Sequence, residues 1–224
     1  QQLSLYTSYS QSYVPRAGEQ LTSLNVTTAT FDPEKFINTE VGAKWDVNPS
    51  LAFTAAVFKL QRNNVAVTTS STTSALVDGQ DTKGIELGLT GRVTDKWSVI
   101  GGLTYQKAVL EGTTSIGGQE GNIAPLTPRR TLSVWNRYDI NDMWGVALGV
   151  VSRDEMYAEF NNAVTLPGYA RVDGAVYAKL DKNLRLQVNV ENLLNKEYFL
   201  YAHNNNNITP GSPTAARATL IYNF

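Results

Sequence analysis

The sequence predicts an all-β protein, an antiparallel transmembrane β-barrel of which about ten strands lie in these 224 residues. Three observations lead to this fold class. Apolar and polar residues alternate with a period of two along most of the chain. Short turns alternate strictly with long polar loops. Finally, Trp45, Trp97 and Trp144 each stand beside a short turn, where amphipathic rings would meet a membrane–water interface.

The predicted strands are long compared with the roughly 5–6 residues usual in soluble sheets. Alternation is clearest near the end of the chain, where Leu186 and Val188 take one face and Gln187 and Asn189 take the other. The strands are predicted at 2–13, 34–47, 51–67, 82–93, 97–110, 129–140, 144–153, 168–180, 184–192 and 215–224.

The connections between these strands are sorted by length. The short turns lie at Val47–Ser50, Thr94–Lys96, Ile140–Met143 and Asp181–Asn183. The long loops lie at 14–33, 68–81, 111–128, 154–167 and 193–214. Short turns at one end and long loops at the other are typical of bacterial outer-membrane barrels, whereas a soluble sandwich has no reason to sort its loops in this way.

A closed barrel follows if the apolar faces point to lipid, because every backbone N–H and C=O must then pair within the sheet. The charged strand residues should point inward, since an Arg or Lys on the lipid face near the midplane costs about 2–4 kcal/mol. The residues of inward parity are Glu86, Arg92, Arg137, Asp139, Arg171, Asp173, Lys179, Arg185 and Glu191.

Composition excludes several other classes of protein. The formal net charge is -1 and no basic stripe is visible, so we predict no nucleic-acid partner. The chain has no cysteine, which excludes disulfide frameworks and thiolate metal sites. No window has the roughly 18 consecutive apolar residues of a membrane helix. Gln1 opens directly into a strand pattern with no signal peptide, so we expect a chain cut from a longer one.

The run Val190–Tyr198, VENLLNKEY, resembles the N-L-hydrophobic-N-K-x-Y signature near the C-terminus of TonB-dependent receptors. It follows an alternating strand, as in that family. The final Tyr222–Phe224 is similar to the terminal aromatic signal of outer-membrane barrels, and Leu3–Ser10 resembles a mid-barrel strand of siderophore receptors. The tail His203–Gly211 is similar to the catecholate branch.

The resemblance implies a barrel of about 22 strands closed by an N-terminal plug. Residues 1–224 would then be the C-terminal part of that barrel, with the plug and the earlier strands absent from the chain. It implies a receptor in the outer membrane of a Gram-negative bacterium that binds ferric siderophores, of catecholate type, and imports them with TonB-derived energy. The implied partners are the ferric siderophore, the outer-membrane lipid and, through the absent N-terminal region, TonB.

Two other functions compete with active import. One is a small passive outer-membrane barrel: a porin, an adhesin or a membrane-anchored hydrolase. The other is a soluble all-β binding domain, which would dissolve without detergent. We predict no catalytic residue, because the one histidine lacks a neighbouring acidic cluster in the sequence. We also predict no metal site, since there is no cysteine and no acidic calcium loop.

Iron would arrive already chelated by the siderophore, so the resemblance implies no cofactor and no iron ligands in the protein. The protein would instead recognise an anionic, aromatic complex with cationic and aromatic side chains. The loops offer such groups, and the candidate ligand-binding residues are Arg129, Arg130, Arg153, Tyr157, Phe160, Tyr201 and His203.

Overall fold

Ten long strands form one antiparallel sheet in the computed structural model, which describes residues 2–15, 30–68, 74–114 and 117–224. The long strands are β1 (Leu3–Val14), β2 (Glu34–Asn48), β3 (Leu51–Asn63), β6 (Gln80–Arg92), β7 (Trp97–Leu110), β8 (Arg130–Asp139), β9 (Trp144–Arg153), β12 (Tyr169–Lys179), β13 (Leu184–Glu191) and β16 (Ala215–Tyr222). Short strands form hairpins within the loops: β4 (Val65–Thr68) with β5 (Ser74–Val77), β10 (Met156–Tyr157) with β11 (Thr165–Leu166), and β14 (Phe199–Asn204) with β15 (Asn207–Pro210).

The order of the long strands in the sheet follows the order of the chain, β1-β2-β3-β6-β7-β8-β9-β12-β13-β16. This confirms the ten predicted strands of an all-β meander. The third prediction, 51–67, was too long, because β3 ends at Asn63. Asn64 has a positive φ of 59°, which asparagine tolerates better than most residues, and the chain then enters the β4–β5 hairpin.

The strand register separates the sheet into two faces of different character. Leu87 lies opposite Leu103, which lies opposite Leu132, so these side chains share one face, here called the apolar face. Glu86 lies opposite Thr104 on the other side, here called the polar face. All nine charged residues assigned an inward parity lie on the polar face, as the alternation predicted.

Aromatic side chains line the apolar face beside the short turns. Trp45, Trp97 and Trp144 all lie on this face with more than a third of their surface exposed. Trp97 is paired with Tyr138 and donates a hydrogen bond from Nε1 to Asn136 Oδ1 at 3.2 Å. An exposed ring with a polar edge is the side chain expected at a membrane–water interface.

On the polar face, large aromatic rings lie over glycines of the neighbouring strand. A Cβ added to Gly84 would stand 2.6 Å from the ring of Phe58, and one added to Gly149 would stand 2.2 Å from that of Trp135. Any larger residue would displace the ring. Glycine is therefore required at these positions for packing, because it leaves room for the aromatic ring of the neighbouring strand.

The long loops carry more structure than the sequence predicted. Met156, Ala158 and Leu166 of the β10–β11 hairpin form a buried cluster with Ala202 of β14, and Leu126 and Ile208 pack against it. Residues 16–29, 69–73 and 115–116, within three predicted loops, lie outside the described residues. Among the described residues, no helix has the length and apolar character needed to cross a membrane.

Candidate ligand-binding site

An open cleft of about 1110 Å³ lies at the loop end of the sheet, beside the ends of β7, β8, β9 and β12. Its lining is rich in cations and tyrosines, with two carboxylates. The cations are Lys107, Arg129, Arg130, Arg153 and Lys196, the tyrosines are Tyr105, Tyr157 and Tyr169, and the carboxylates are Asp154 and Glu155. Such a lining suits an anionic ligand with aromatic rings.

The structure brings four of the seven predicted ligand-binding residues to this cleft: Arg129, Arg130, Arg153 and Tyr157. Phe160 lies elsewhere, with its Cβ close to Gly118, and its carbonyl accepts a hydrogen bond from Asn122 Nδ2 at 2.9 Å. Tyr201 and His203 are exposed on β14. Ligand contact by any of these residues stays a prediction.

Arg129 and Arg130 are held by local partners. Arg130 Nε donates to Asp154 Oδ2 at 2.8 Å. Arg129 donates to the hydroxyl of Tyr105, and its guanidinium lies 5.1 Å from the centre of that ring. Arg130 is paired with Tyr105 and shares the apolar face with Leu132. The register therefore directs Arg130 toward the outside of a barrel, a placement that its position in the sequence did not reveal.

Arg153 lies on the opposite, polar face. It is paired with Thr131 of β8 and with Tyr169 of β12. Tyr169 is buried and its ring stacks on that of Tyr198, with the centroids 4.4 Å apart. Arg153 is thus the predicted residue whose strand position directs it toward the inside of a barrel, next to a packed aromatic pair.

A cluster of charged groups beside this aromatic pair was not predicted as part of a site. Arg171 donates from Nη2 to Asp173 at 2.9 Å and from Nη1 to the hydroxyl of Tyr198 at 2.9 Å. Arg171 Nη1 also donates to Glu191. Within the described part of the chain, the buried Nε of Arg171 has no hydrogen-bond partner. The alternation in the sequence predicts the face on which Arg171, Asp173 and Glu191 lie. It does not predict that Tyr198, in the last loop, contacts Arg171.

Asn192, from the VENLLNKEY run, is fully buried and fastens the last loop to the sheet. Its backbone N–H donates to Asp173 Oδ1 at 2.8 Å. Its side chain donates to the carbonyls of Lys196 at 2.9 Å and Ser212 at 3.0 Å, and accepts from the N–H of Lys196 at 2.8 Å. The positive φ of 53° at Asn192 suits asparagine. The run that resembles a family signature is therefore a structural clamp in this chain.

Metal binding has no geometric basis in the part of the chain that the structure describes. No group of three or more His, Asp or Glu side chains there could hold a metal ion. His203 stands exposed on β14, away from the cleft.

Comparison with known proteins agrees with the fold. Residues 1–193 match the family model described as TonB dependent receptor-like, beta-barrel. The chain is 32% identical, over 99% of its length, to the probable TonB-dependent siderophore receptor PiuA of Acinetobacter baumannii. It is 29% identical, over 87% of its length, to the catecholate siderophore receptor Fiu of Escherichia coli K12.

Solved structures give the same result. The crystal structure of PiuA from Acinetobacter baumannii superposes with a TM-score of 0.90 at 31% sequence identity, covering 98% of this chain and 34% of that one. The closed form of the ferric-catecholate import receptor Fiu from E. coli K12 superposes with a TM-score of 0.87 at 26% identity, covering 99% and 33%. The chain spans 32% of the length of PiuA and 27% of that of Fiu in the sequence comparison, so it matches only part of each relative.

Proposed function

We propose that this chain, which belongs to the TonB-dependent receptor family, forms part of the barrel of a receptor that imports ferric siderophores. The family lies in the outer membrane of Gram-negative bacteria, and the two faces of the sheet suit that location. The observation that carries the proposal is the cleft at the loop end, whose lining combines cations with tyrosines and in which Arg153 and Tyr169 lie on the polar face.

The chemistry of the cleft favours a catecholate complex. A ferric tris-catecholate is anionic and presents flat aromatic rings, so cations attract it and tyrosines stack on it. The cleft volume of about 1110 Å³ is slightly above the roughly 300–1,000 Å³ common for small-molecule sites. The relatives described as a siderophore receptor and as a catecholate siderophore receptor support the same class of substrate.

Arg153 and Tyr157 are the residues of this cleft that we propose as ligand contacts. Arg153 lies on the polar face at the end of β9, and Tyr157 follows in β10. A guanidinium offers several donors to phenolate oxygens in a fixed planar arrangement. The iron is cargo and arrives already coordinated, so the protein needs no iron ligand of its own and no cofactor.

Import would be active, with the energy supplied through TonB. The alternative of a passive barrel is less favoured, because the relatives are described as receptors and as TonB-dependent. The same descriptions favour transport over enzymatic catalysis.

The test is binding and uptake of a radiolabelled ferric catecholate by the receptor in outer membranes. The variant Arg153→Gln should weaken binding by roughly ten- to a hundredfold, through loss of one charge-assisted contact of about 1.5–3 kcal/mol. Arg92→Gln, on the polar face at the short-turn end, is the matched control and should bind like the wild type.

Uptake in cells that lack TonB separates the two transport modes. Full uptake without TonB would mean that the ligand crosses the barrel passively and would contradict active import. Absence of any ferric-catecholate binding by the wild-type receptor would overturn the proposed substrate class.

A further inference from the structure

Three loops at the loop end of the sheet pack against one another. They connect β7 to β8, β9 to β12 and β13 to β16, so each belongs to a different hairpin of the sheet. The buried cluster of Met156, Ala158 and Leu166 in the second loop takes in Ala202 of the third, and Leu126 of the first packs on it. Separating the loops would expose this apolar surface to water, so the cluster holds them in one arrangement.

Two asparagines join the first two of these loops by reciprocal hydrogen bonds. Asn122 Nδ2 donates to the carbonyl of Phe160 at 2.9 Å. In the other direction, Asn162 Oδ1 accepts from the N–H of Ile123 at 2.8 Å, and Asn162 Nδ2 donates to the carbonyl of Ile123 at 2.8 Å. One side-chain amide thus satisfies both backbone groups of Ile123, as a neighbouring strand would. Asn122 and Asn162 are here called the asparagine pair.

The segment that Asn162 contacts is itself fixed to the barrel sheet. The N–H of Leu110 donates to the carbonyl of Asn122 at 2.8 Å, and the N–H of Ala124 donates to the carbonyl of Ala108 at 3.0 Å. Ala108 and Leu110 lie at the end of β7, and both are buried, as is Ala124. The asparagine pair therefore joins the loop between β9 and β12 to the end of β7, and not only to another loop.

Tyr157 of the cleft lies within this joined structure. Its carbonyl accepts from the N–H of Leu126 at 2.9 Å, and it is paired with Thr165 across the β10–β11 hairpin. Side chains alternate along an extended chain, so Tyr157 points away from the buried Met156 and Ala158, and it lines the cleft. The packed loops, and not the barrel sheet, set the position of the Tyr157 ring.

Arg153, the other residue proposed to contact the ligand, is placed differently. It lies within β9 and is paired with Thr131 and Tyr169, so the barrel sheet sets its position. The two proposed contacts of one cleft therefore depend on different parts of the molecule. Loss of the asparagine pair should displace Tyr157 and leave Arg153 in place.

We propose that Asn162 is a positioning residue for ligand binding, which holds Tyr157 in the cleft before the ligand arrives; this inference rests on the proposed function. Asn162 lies between β10 and β11 and does not line the cleft, so it would act through Ile123 and Tyr157, which do. Binding to a side chain that is already in place requires less ordering of the loop, and the affinity rises accordingly.

The test measures binding of a radiolabelled ferric complex of a synthetic tris-catecholate by the receptor in outer membranes. Asn162→Ala should weaken binding about tenfold in the wild-type background and in the Arg153→Gln background. In the Tyr157→Ala background it should weaken binding less than about twofold, because the ring that Asn162 positions is then missing. An equal loss in all three backgrounds would show a general structural role and overturn the positioning of Tyr157.

Two further variants separate the possible causes of the loss. Asn162→Gly adopts the positive φ of 54° freely but lacks the amide, so it should lose as much affinity as Asn162→Ala. Wild-type affinity in Asn162→Gly would assign the loss to backbone strain and overturn the role of the side chain. Asn161→Ala is the matched control and should bind like the wild type, since Asn161 is exposed and its Oδ1 accepts from Ala163 and Asn205 instead.

Hydrogen exchange of the receptor alone gives a readout that does not depend on the siderophore. In Asn162→Ala, the amides of 122–126 and 156–166 should exchange about tenfold faster, and those of β9 should be unchanged. Wild-type protection of both segments in this variant would overturn the proposal. Failure of the wild type to bind the ferric complex would overturn the proposed function and this inference with it. Equal affinities of the wild type and Asn162→Ala would overturn this inference alone.

Discussion

Two asparagines at opposite ends of the sheet show how differently its two ends are built. At the short-turn end, Asn141 Oδ1 accepts from the N–H of Met143 at 3.0 Å and of Trp144 at 2.8 Å, both within three residues. At the loop end, the side chain of Asn192 reaches Ser212, twenty residues away, and its N–H reaches Asp173 on β12. One asparagine closes a local turn, and the other joins distant segments.

At the short-turn end the hydrogen bonds of the asparagine stabilise only its own turn, whereas at the loop end they hold together segments that are far apart in the chain. The turn of Asn141 is exposed, so water can replace a lost hydrogen bond there. Asn192 has no exposed surface, so water cannot take the place of these hydrogen bonds to its side-chain amide while the loop stays folded. Replacing the asparagine should therefore lower the free energy of unfolding much more at the loop end than at the short-turn end.

The largest effect is expected for Asn192→Ala. The substitution leaves the carbonyls of Lys196 and Ser212 without their donor and puts alanine at a positive φ. We expect a loss of about 3 kcal/mol in the free energy of unfolding, since the variant loses three side-chain hydrogen bonds worth about 0.5–1.5 kcal/mol each and places alanine in the left-handed region at a cost of about 1 kcal/mol. Urea unfolding of the receptor in detergent, followed by tryptophan fluorescence, measures it.

Asn192→Gly separates the two causes of that loss. Glycine adopts the positive φ freely, so this variant should recover about 1 kcal/mol relative to alanine while still lacking the side-chain hydrogen bonds. Wild-type stability in both variants would contradict the role of Asn192 as a clamp.

A smaller effect is expected for Tyr198→Phe at the same end. The ring would keep its stacking on Tyr169, but Arg171 would lose a hydrogen bond of 2.9 Å to the hydroxyl. We expect about 1.5 kcal/mol of destabilisation, because hydrogen bonds to charged groups are worth about 1.5–3 kcal/mol and Arg171 keeps its two carboxylates. The same urea titration gives the value, with exposed Tyr201→Phe as the control.

The smallest effect is expected for Asn141→Ala. The exposed N–H groups of Met143 and Trp144 would bond to water, so the cost should be about 0.5–1 kcal/mol. A loss as large as that of Asn192→Ala would remove the contrast between the two ends. Protease cleavage within 193–214 should rise in Asn192→Ala and stay unchanged in Asn141→Ala.

Prediction from the sequence succeeded where structure is local. The alternation of Leu186 and Val188 with Gln187 and Asn189 placed β13 and its two faces, because neighbouring side chains on a strand point to opposite sides. Four of the candidate ligand-binding residues line one cleft, but Arg130 and Arg153 lie on opposite faces of the sheet, and their contact with a ligand stays a prediction. The cluster around Arg171 was missed, because Tyr198 reaches it only after the last loop folds back.

The sequence by itself determined the ten strands, the two faces of the sheet, the short turns and the family of the protein, since each depends on a repeating pattern or on a contiguous run. Only the tertiary structure decided the hairpins within the loops, the burial of Asn192 and the alignment of Lys59, Lys83 and Lys107 across three strands. These features join residues far apart in the chain, and the register between strands, which no single strand encodes, brings them together.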